Sequence, residues 1–196
     1  MAYEKSLTTI ADILEAAQRL FVAQSYDDVT MTAIAQEAGV TKGAIYHHFK
    51  SKKELFLEMM VSYLDSLQAI LQQAVAQHGT ARERLQDLTT LYLEMPLHEQ
   101  QLIQLVRRDN NRFTGTERST LVRAYQNALP NQIETIIGDG IASKELMAGD
   151  SRLLAWHYVA VVEVSLSQYA RQQFTSPQKM ATYVVRAFFD GVGNRD

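Results

Sequence analysis

The stretch GVTKGAIYHHFKSKKELF, residues 39–56, decides how this chain is read. It carries Lys42, Lys50, Lys52 and Lys53 with no carboxylate before Glu54, and it sets Tyr46, His47 and His48 side by side. Gly39 suits the left-handed conformation that closes a helix, and Thr41 is placed two residues later to cap the next one. Just upstream, Thr30 is a good N-cap for a short helix to Ala38, whose Ile34, Ala35 and Ala38 can face a preceding helix. Two short helices meeting at a three-residue turn have the geometry of a helix-turn-helix unit.

Working outward, the preceding helix is expected from Thr8 to about Gln24, with Ile10, Ile13, Leu14, Ala17, Leu20 and Phe21 as its apolar stripe. The second helix of the unit runs from about Lys42 to His48 and stops because Ser51-Lys52-Lys53-Glu54 restarts the pattern as a capping box, in which Glu54 reaches back to the backbone N–H of Ser51. A long fourth helix follows, to about Gln77. Further helices are read near 81–95, 98–110, 116–142 with a kink at Pro130, 150–173, and 177–191, the last opened by Ser176-Pro177. Apolar residues recur at spacings of three and four almost throughout, and only three prolines interrupt them. The expectation is an all-α chain of about nine helices, with a helix-turn-helix domain over 1–53 and a helical domain over 54–196.

Composition narrows the function classes. With 46% hydrophobic and 21% charged residues the chain is of ordinary globular kind. It has no cysteine, which excludes disulfide frameworks, thiolate metal sites and cysteine nucleophiles. Charges at Glu4, Lys5, Asp12 and Glu15 break the N-terminal apolar pattern, and no later run is long enough to span a bilayer, so a soluble, cytoplasmic protein is expected. The net charge is −3, yet residues 1–53 hold six Lys/Arg against six Asp/Glu, so any polyanion site there is a local patch.

That patch is interpretable. In helix-turn-helix proteins the second helix lies with its N-terminal residues in the major groove of DNA. Here Ala44, Ile45 and Phe49 supply the inward contacts, leaving Thr41, Lys42, Gly43, Tyr46, His47 and His48 outside. Lys52 and Lys53 occupy the first turn of the fourth helix, where the macrodipole disfavours cations by about 0.3–1 kcal/mol. An anion arriving there makes sense of the placement. Tyr46 can equally pack its ring on the first helix. Adjacent histidines on a helix point about 100° apart and do not form a chelating pair.

The segment TMTAIAQEAGVTKGAIYHHFKSKKELF is similar to the helix-turn-helix signature of the tetracycline-repressor (TetR) family, over about residues 9–57. That resemblance implies an all-helical dimer that binds a palindromic operator in double-stranded DNA and releases it when a small-molecule effector enters the C-terminal domain. It also implies roles: Thr30 and Thr32 on phosphates, Thr41, Lys42 and Gly43 at base edges, Tyr46 and His48 on phosphate or a thymine methyl, and Lys52 on a phosphate. Lys42 on the O6/N7 edge of guanine is the base contact we favour, and His47 is a further candidate reader. Tyr92, Met95, Phe113, Tyr125 and Trp156 become candidates for the effector lining, though such residues are first of all core. Glu163 interrupts the apolar run VAVVEVSL and needs a partner, either a cationic ligand or a salt bridge across a dimer.

The last two expected helices carry more apolar surface than one neighbour covers. Leu153, Leu154, Val161, Val162, Val164, Leu166 and Tyr169 surround the eighth, and Tyr183, Val184, Ala187, Phe188 and Val192 stripe the ninth. The interface expected from them is a two-fold four-helix contact through Leu154, Val161, Val162, Leu166, Tyr183, Val184 and Phe188. For catalysis there is no G-x-S-x-G, H-E-x-x-H, phosphate loop or dinucleotide fingerprint, and Gly138-Asp139-Gly140 lacks the strand that would give it meaning. No catalytic residue, metal or cofactor is expected. A helical adaptor that does not read DNA is the competing class, and it has no need for the lysine cluster.

Overall fold

The computed structural model describes residues 2–76 and 78–191. Every regular element among them is helical: α1 (Ala2–Ala23), α2 (Met31–Glu37), α3 (Lys42–His48), α4 (Lys52–Val75), α5 (Ala81–Glu94), α6 (Leu97–Asp109), a 3-10 turn (Asn110–Arg112), α7 (Gly115–Ala128), α8 (Pro130–Ala142), α9 (Ser151–Ser165), α10 (Gln168–Gln173) and α11 (Pro177–Asp190). Two of the expected long helices are each broken in two, which takes the count from about nine to eleven. At Leu129 the backbone leaves the helical region (φ −129°, ψ −66°) and Pro130 takes the first position of α8, so the proline starts a helix instead of kinking one. At Leu166 α9 ends, and the Ser167 hydroxyl accepts the Ala170 N–H at 3.2 Å to begin α10. Further, α1 begins at Ala2 rather than Thr8, and α4 ends at Val75; Gln77, where it was expected to stop, lies outside the described residues.

The described chain forms two compact units, Met1–Leu64 with Leu97–Ala124 and Asp65–Pro96 with Tyr125–Asp196. The first is therefore not confined to residues 1–53. Its core explains why: Ile13, Ala17 and Phe21 of α1, Ile34 of α2 and Ile45 of α3 are fully buried together with Phe56, Met59 and Met60 of α4 and Leu102 and Ile103 of α6. A ladder of rings runs through it, with Phe21–Phe56 centroids 4.7 Å apart, Tyr26–Phe56 5.1 Å and Phe56–Phe113 5.8 Å. Burying each such side chain contributes about 1.5–3 kcal/mol, so the short helices α2 and α3 are held by their packing in this core more than by their own propensity.

Within the second unit α5 packs on α8 and α11, and α8 on α9. Its start is a capping box, Thr80 Oγ1 accepting from Glu83 N at 3.2 Å and the Glu83 carboxylate accepting from Thr80 N at 2.9 Å. Thr89 and Tyr158 share a buried hydrogen bond between α5 and α9. Arg84, buried, bonds the Val75 carbonyl at 2.8 Å and the Asp139 carboxylate at 2.7 Å, which ties the ends of α4 and α8 to α5.

Candidate nucleic-acid interface and effector unit

Local signals in the sequence set the ends of α2 and α3. Thr30 Oγ1 accepts the Ala33 N–H at 3.1 Å and Thr41 Oγ1 accepts the Ala44 N–H at 3.1 Å, so both threonines cap as their positions suggest. Between them Gly39 has φ +68°, the left-handed conformation a glycine adopts without strain. Ile45 and Phe49 are buried and Ala44 is half-buried. Thr41, Lys42, Gly43, Tyr46 and His47 are exposed and His48 is half-buried, so α3 presents one polar face. Tyr46 is 46% exposed, and neither its hydroxyl nor the Lys42 ammonium has a partner among the described residues. The His47 and His48 rings meet edge to face at 5.1 Å. Among the described residues no three His, Asp or Glu side chains are grouped to hold a metal, and no helix is long and apolar enough to cross a membrane.

The start of α4 departs from expectation. Ser51 Oγ accepts the Glu54 N–H at 3.1 Å, but the Glu54 carboxylate reaches one residue past the cap, to the Lys50 N–H at 2.8 Å. Lys52 is not a free cation: its Nζ donates to the carbonyls of Tyr26 at 2.7 Å, Val29 at 2.8 Å and Asp27 at 3.3 Å, and it lies 4.5 Å from the Tyr26 ring centroid. An ammonium has three protons, and loop carbonyls take all of them. Lys53 pairs with Glu117 and lies 5.7 Å from the Phe113 ring centroid. Both lysines in that unfavourable first turn are therefore answered within the chain, and an anion is not needed to explain them.

An open groove of about 470 Å³ runs between the start of α2, Tyr46 and the start of α4, with Thr30, Thr32 and Lys50 on its walls. The one carboxylate on it, Asp27, is gripped by the Arg112 guanidinium at 3.1 and 3.2 Å. Arg112 also donates from Nε to the buried Asp109 at 2.8 Å, and those bonds hold its pKa above the usual arginine value, Asp109 contributing first and Asp27 second. The guanidinium lies 4.8 Å from the Tyr26 ring centroid, so that phenol has both a lysine and an arginine within cation–π reach. Burial raises the Tyr26 pKa, and Arg112 opposes the rise. Arg112 has no local sequence signal that would have marked it, and Lys50 stands in the lysine run without a role being read for it.

Residues 13–59 match the model of the bacterial regulatory proteins of the tetR family. Over that segment the chain is of the tetR type. Two of its relatives are FasR, an HTH-type transcriptional activator of Mycolicibacterium smegmatis, and KstR2, an HTH-type transcriptional repressor of Mycobacterium tuberculosis. FasR is 28% identical over 149 residues, 76% of this chain and 66% of FasR. KstR2 is 29% identical over 130 residues, 66% of this chain and 65% of KstR2. The matched spans thus fall just short of two thirds of either relative's own length. Among solved structures, the transcriptional regulator FadR from Bacillus subtilis in complex with stearoyl-CoA superposes with a TM-score of 0.79 at 18% identity, covering 93% of this chain and 99% of FadR. At that identity the likeness concerns the fold.

The residues expected to line an effector site do not share one set of surroundings. Tyr92 is 1% exposed and its hydroxyl has no hydrogen-bond partner among the described residues. Burial drives its pKa well above the tyrosine norm, with Tyr125 adding and Arg171 opposing. Tyr125 is buried with its ring 6.3 Å from that of Trp156, while Met95 and Glu163 are half-buried. Phe113 does not join them: it belongs to the first unit and is sealed against Phe56. Trp156 is 37% exposed, on the outer side of α9. A cavity of about 200 Å³ is lined by Leu93, Arg171, Phe174, Ser176 and Met180 among others, and none of the expected lining residues reaches it. A single helix was read across the α9–α10 break, which is why Arg171 and Phe174 went unnoticed.

The expected dimer face is corrected as well. Val162, Leu166 and Val184 are buried in the unit's own core. Leu154, Val161 and Phe188 are half-buried, the Phe188 ring 5.0 Å from that of Tyr158. Val192 lies outside the described residues. The apolar residues that α9 turns outward are Leu153, Trp156, Ala160 and Val164, with Tyr183 exposed on α11. Apolar composition marks both faces of these helices, and only the packing separates them.

Proposed function

We propose that the chain is a ligand-responsive transcriptional regulator that works as a homodimer in the cytoplasm. It represses from a palindromic operator and leaves the DNA when a small molecule binds the second unit. The observation that carries this reading is the face of α3, where Lys42, Gly43, Tyr46 and His47 are exposed behind a Gly39 turn with no carboxylate among them. Lys42 and Thr41 sit in the first turn of that helix, the part that meets base edges, and Lys42 takes the guanine edge. Thr30, Thr32, Tyr46 and His48 fix the register on phosphates and sugar edges. The names of FasR and KstR2 support a regulator, and the stearoyl-CoA held by FadR on this fold makes acyl-CoA thioesters of graded length the first effectors to try.

The test is selection of random duplex DNA by the purified protein, followed by affinity measurements on the selected sequence with and without acyl-CoA thioesters. A palindrome with half-sites about one helical turn apart, about 34–36 Å, is expected. Recovery of no sequence above background by a folded dimer would move the chain to the adaptor class.

A further inference from the structure

We propose that the cavity at the corner where α10 turns into α11 is a binding site for a small monocarboxylate, its charged end taken by Arg171 and its tail laid against Leu93, Phe174 and Met180. The inference supplies a place and a ligand class that the proposed function leaves open, and it rests on that function only for the occupant's role as effector. The break between α9 and α10 builds the site. The last carbonyls of a helix have no partner within it, and that of Leu166, where α9 stops, accepts from Arg171 Nε at 3.0 Å. That bond fixes a guanidinium on the cavity wall. A guanidinium carries five N–H donors in a flat fork, so the bond that orients it leaves an edge that matches a carboxylate.

The rest of the lining sorts by chemistry. Leu93, Phe174, Pro177 and Met180 are apolar, Thr175 and Ser176 bring hydroxyls, and no acid is among the lining residues. Leu93 and Met180 are each 5% exposed, and the Phe174 ring is backed by that of Tyr183 at 5.3 Å. Ser176 Oγ already accepts the Lys179 N–H at 3.3 Å, whereas the exposed Thr175 hydroxyl has no partner among the described residues. Glu94, which follows Leu93 in the chain, is bonded to Gln178. Burial raises the pKa of Tyr92, Tyr125 adds to the rise and Arg171 opposes it, so the positive field of Arg171 extends into the α5 core. One cation and one hydroxyl beside an apolar wall suit a ligand with one anionic end. A phosphate would set polar oxygens against Leu93 and Met180 and leave them unpaired. At about 200 Å³ the cavity lies below the range of about 300–1,000 Å³ typical for drug-sized ligands, which admits a short acid and not a CoA thioester.

The experiment is titration calorimetry on the purified full chain with butyrate, hexanoate, octanoate, benzoate, hexanamide and octanoyl-CoA, in wild type, Arg171→Gln, Arg171→Lys and Thr175→Val. Wild type should bind the acids, with affinity rising about fourfold per added methylene until the cavity is full, and should bind hexanamide far more weakly than hexanoate. Arg171→Gln should weaken hexanoate by about tenfold to a hundredfold, the worth of charge-assisted hydrogen bonds, and Arg171→Lys, which keeps the charge without the fork, should fall between. Thr175→Val changes an exposed hydroxyl and should cost about tenfold with Tm unchanged. If Arg171→Gln does not fold, Thr175→Val together with the hexanoate–hexanamide pair decides. Wild type that binds none of the acids, hexanamide that binds as well as hexanoate, a folded Arg171→Gln protein of wild-type affinity, or octanoyl-CoA binding where octanoate does not, each overturns the proposal. Addition of the bound acid to the operator complex separates the two readings: release supports the acid as effector, and an acid that binds without release supports the site and overturns that role.

Discussion

At the scale of single residues, what matters on α3 is which side chains keep their polar atoms for an outside partner. Lys42 does, and its place in the first turn of the recognition helix predicts a change in selectivity. Lys42→Ala should lose about 1–3 kcal/mol of discrimination at one base pair of each half-site while random-sequence affinity falls far less; equal losses on operator and random duplex would sink the base contact. Tyr46→Phe removes a hydroxyl and keeps the ring, so a weaker operator complex with unchanged sequence preference is expected from a quantitative binding assay. The caps were legible because they are local: Thr30, Thr41, Ser51 and Ser176 each act on a backbone N–H three residues away, and sequence spacing encodes that distance. The fate of Lys52 was not legible, because the carbonyls that hold it lie 23 to 26 residues upstream. A charge count reads such a lysine as available.

At the scale of elements, the 3-10 turn after α6 reaches the loop before α2 through Arg112. That guanidinium is held by buried Asp109 on one side and holds exposed Asp27 on the other. Arg112→Ala leaves the Asp27 carboxylate uncompensated on the groove that Thr32 and Tyr46 line, so operator affinity should fall and its salt dependence should change. Asp27→Asn in the same chain should recover much of the affinity by removing the charge. Failure of the second change to help would mean that Arg112 acts only by positioning the loop. A different pair of elements is locked by shape: a Cβ at Gly140 of α8 would lie 2.7 Å from Ala81 Cβ of α5 and 3.1 Å from Leu146 Cδ1. Gly140→Ala should therefore cost about 1–3 kcal/mol by overpacking, a Tm drop of about 2–4 °C per kcal/mol. Ala81→Gly should be partly compensatory in that background and destabilising in the wild type, which calorimetry on the four proteins would show. The helix breaks at Leu129 and Ser167 belong to the same scale. An apolar period runs straight across both, so periodicity reports continuous helices, and a single non-helical residue is enough to redirect the chain.

At the scale of the whole molecule, operator reading needs two recognition helices, and one protomer supplies one. The sequence names α9 and α11 as the helices expected to pair, but not which of their faces, since valine and leucine populate the core side and the outer side alike. The packing gives the distinction a test. Val164 is 72% exposed and Val162 is 4% exposed, two residues apart on α9. Val164→Glu places its charge in water on the protomer and in an apolar contact on the dimer, so it should leave the far-ultraviolet spectrum intact while sedimentation shows a monomer. Val162→Glu forces a carboxylate into the unit's own core and should instead unfold it or depress Tm by many degrees, since an uncompensated buried charge costs several kcal/mol. Monomerisation also halves the phosphates reached in one binding event. The salt slope of Val164→Glu on the operator should fall toward half the wild-type value, because each phosphate neutralised contributes about 0.9 to it. A Val164→Glu protein that still sediments as a dimer with the full slope would place the interface on another surface, and the outward stripe of Leu153, Trp156, Ala160 and Val164 would then need a different partner.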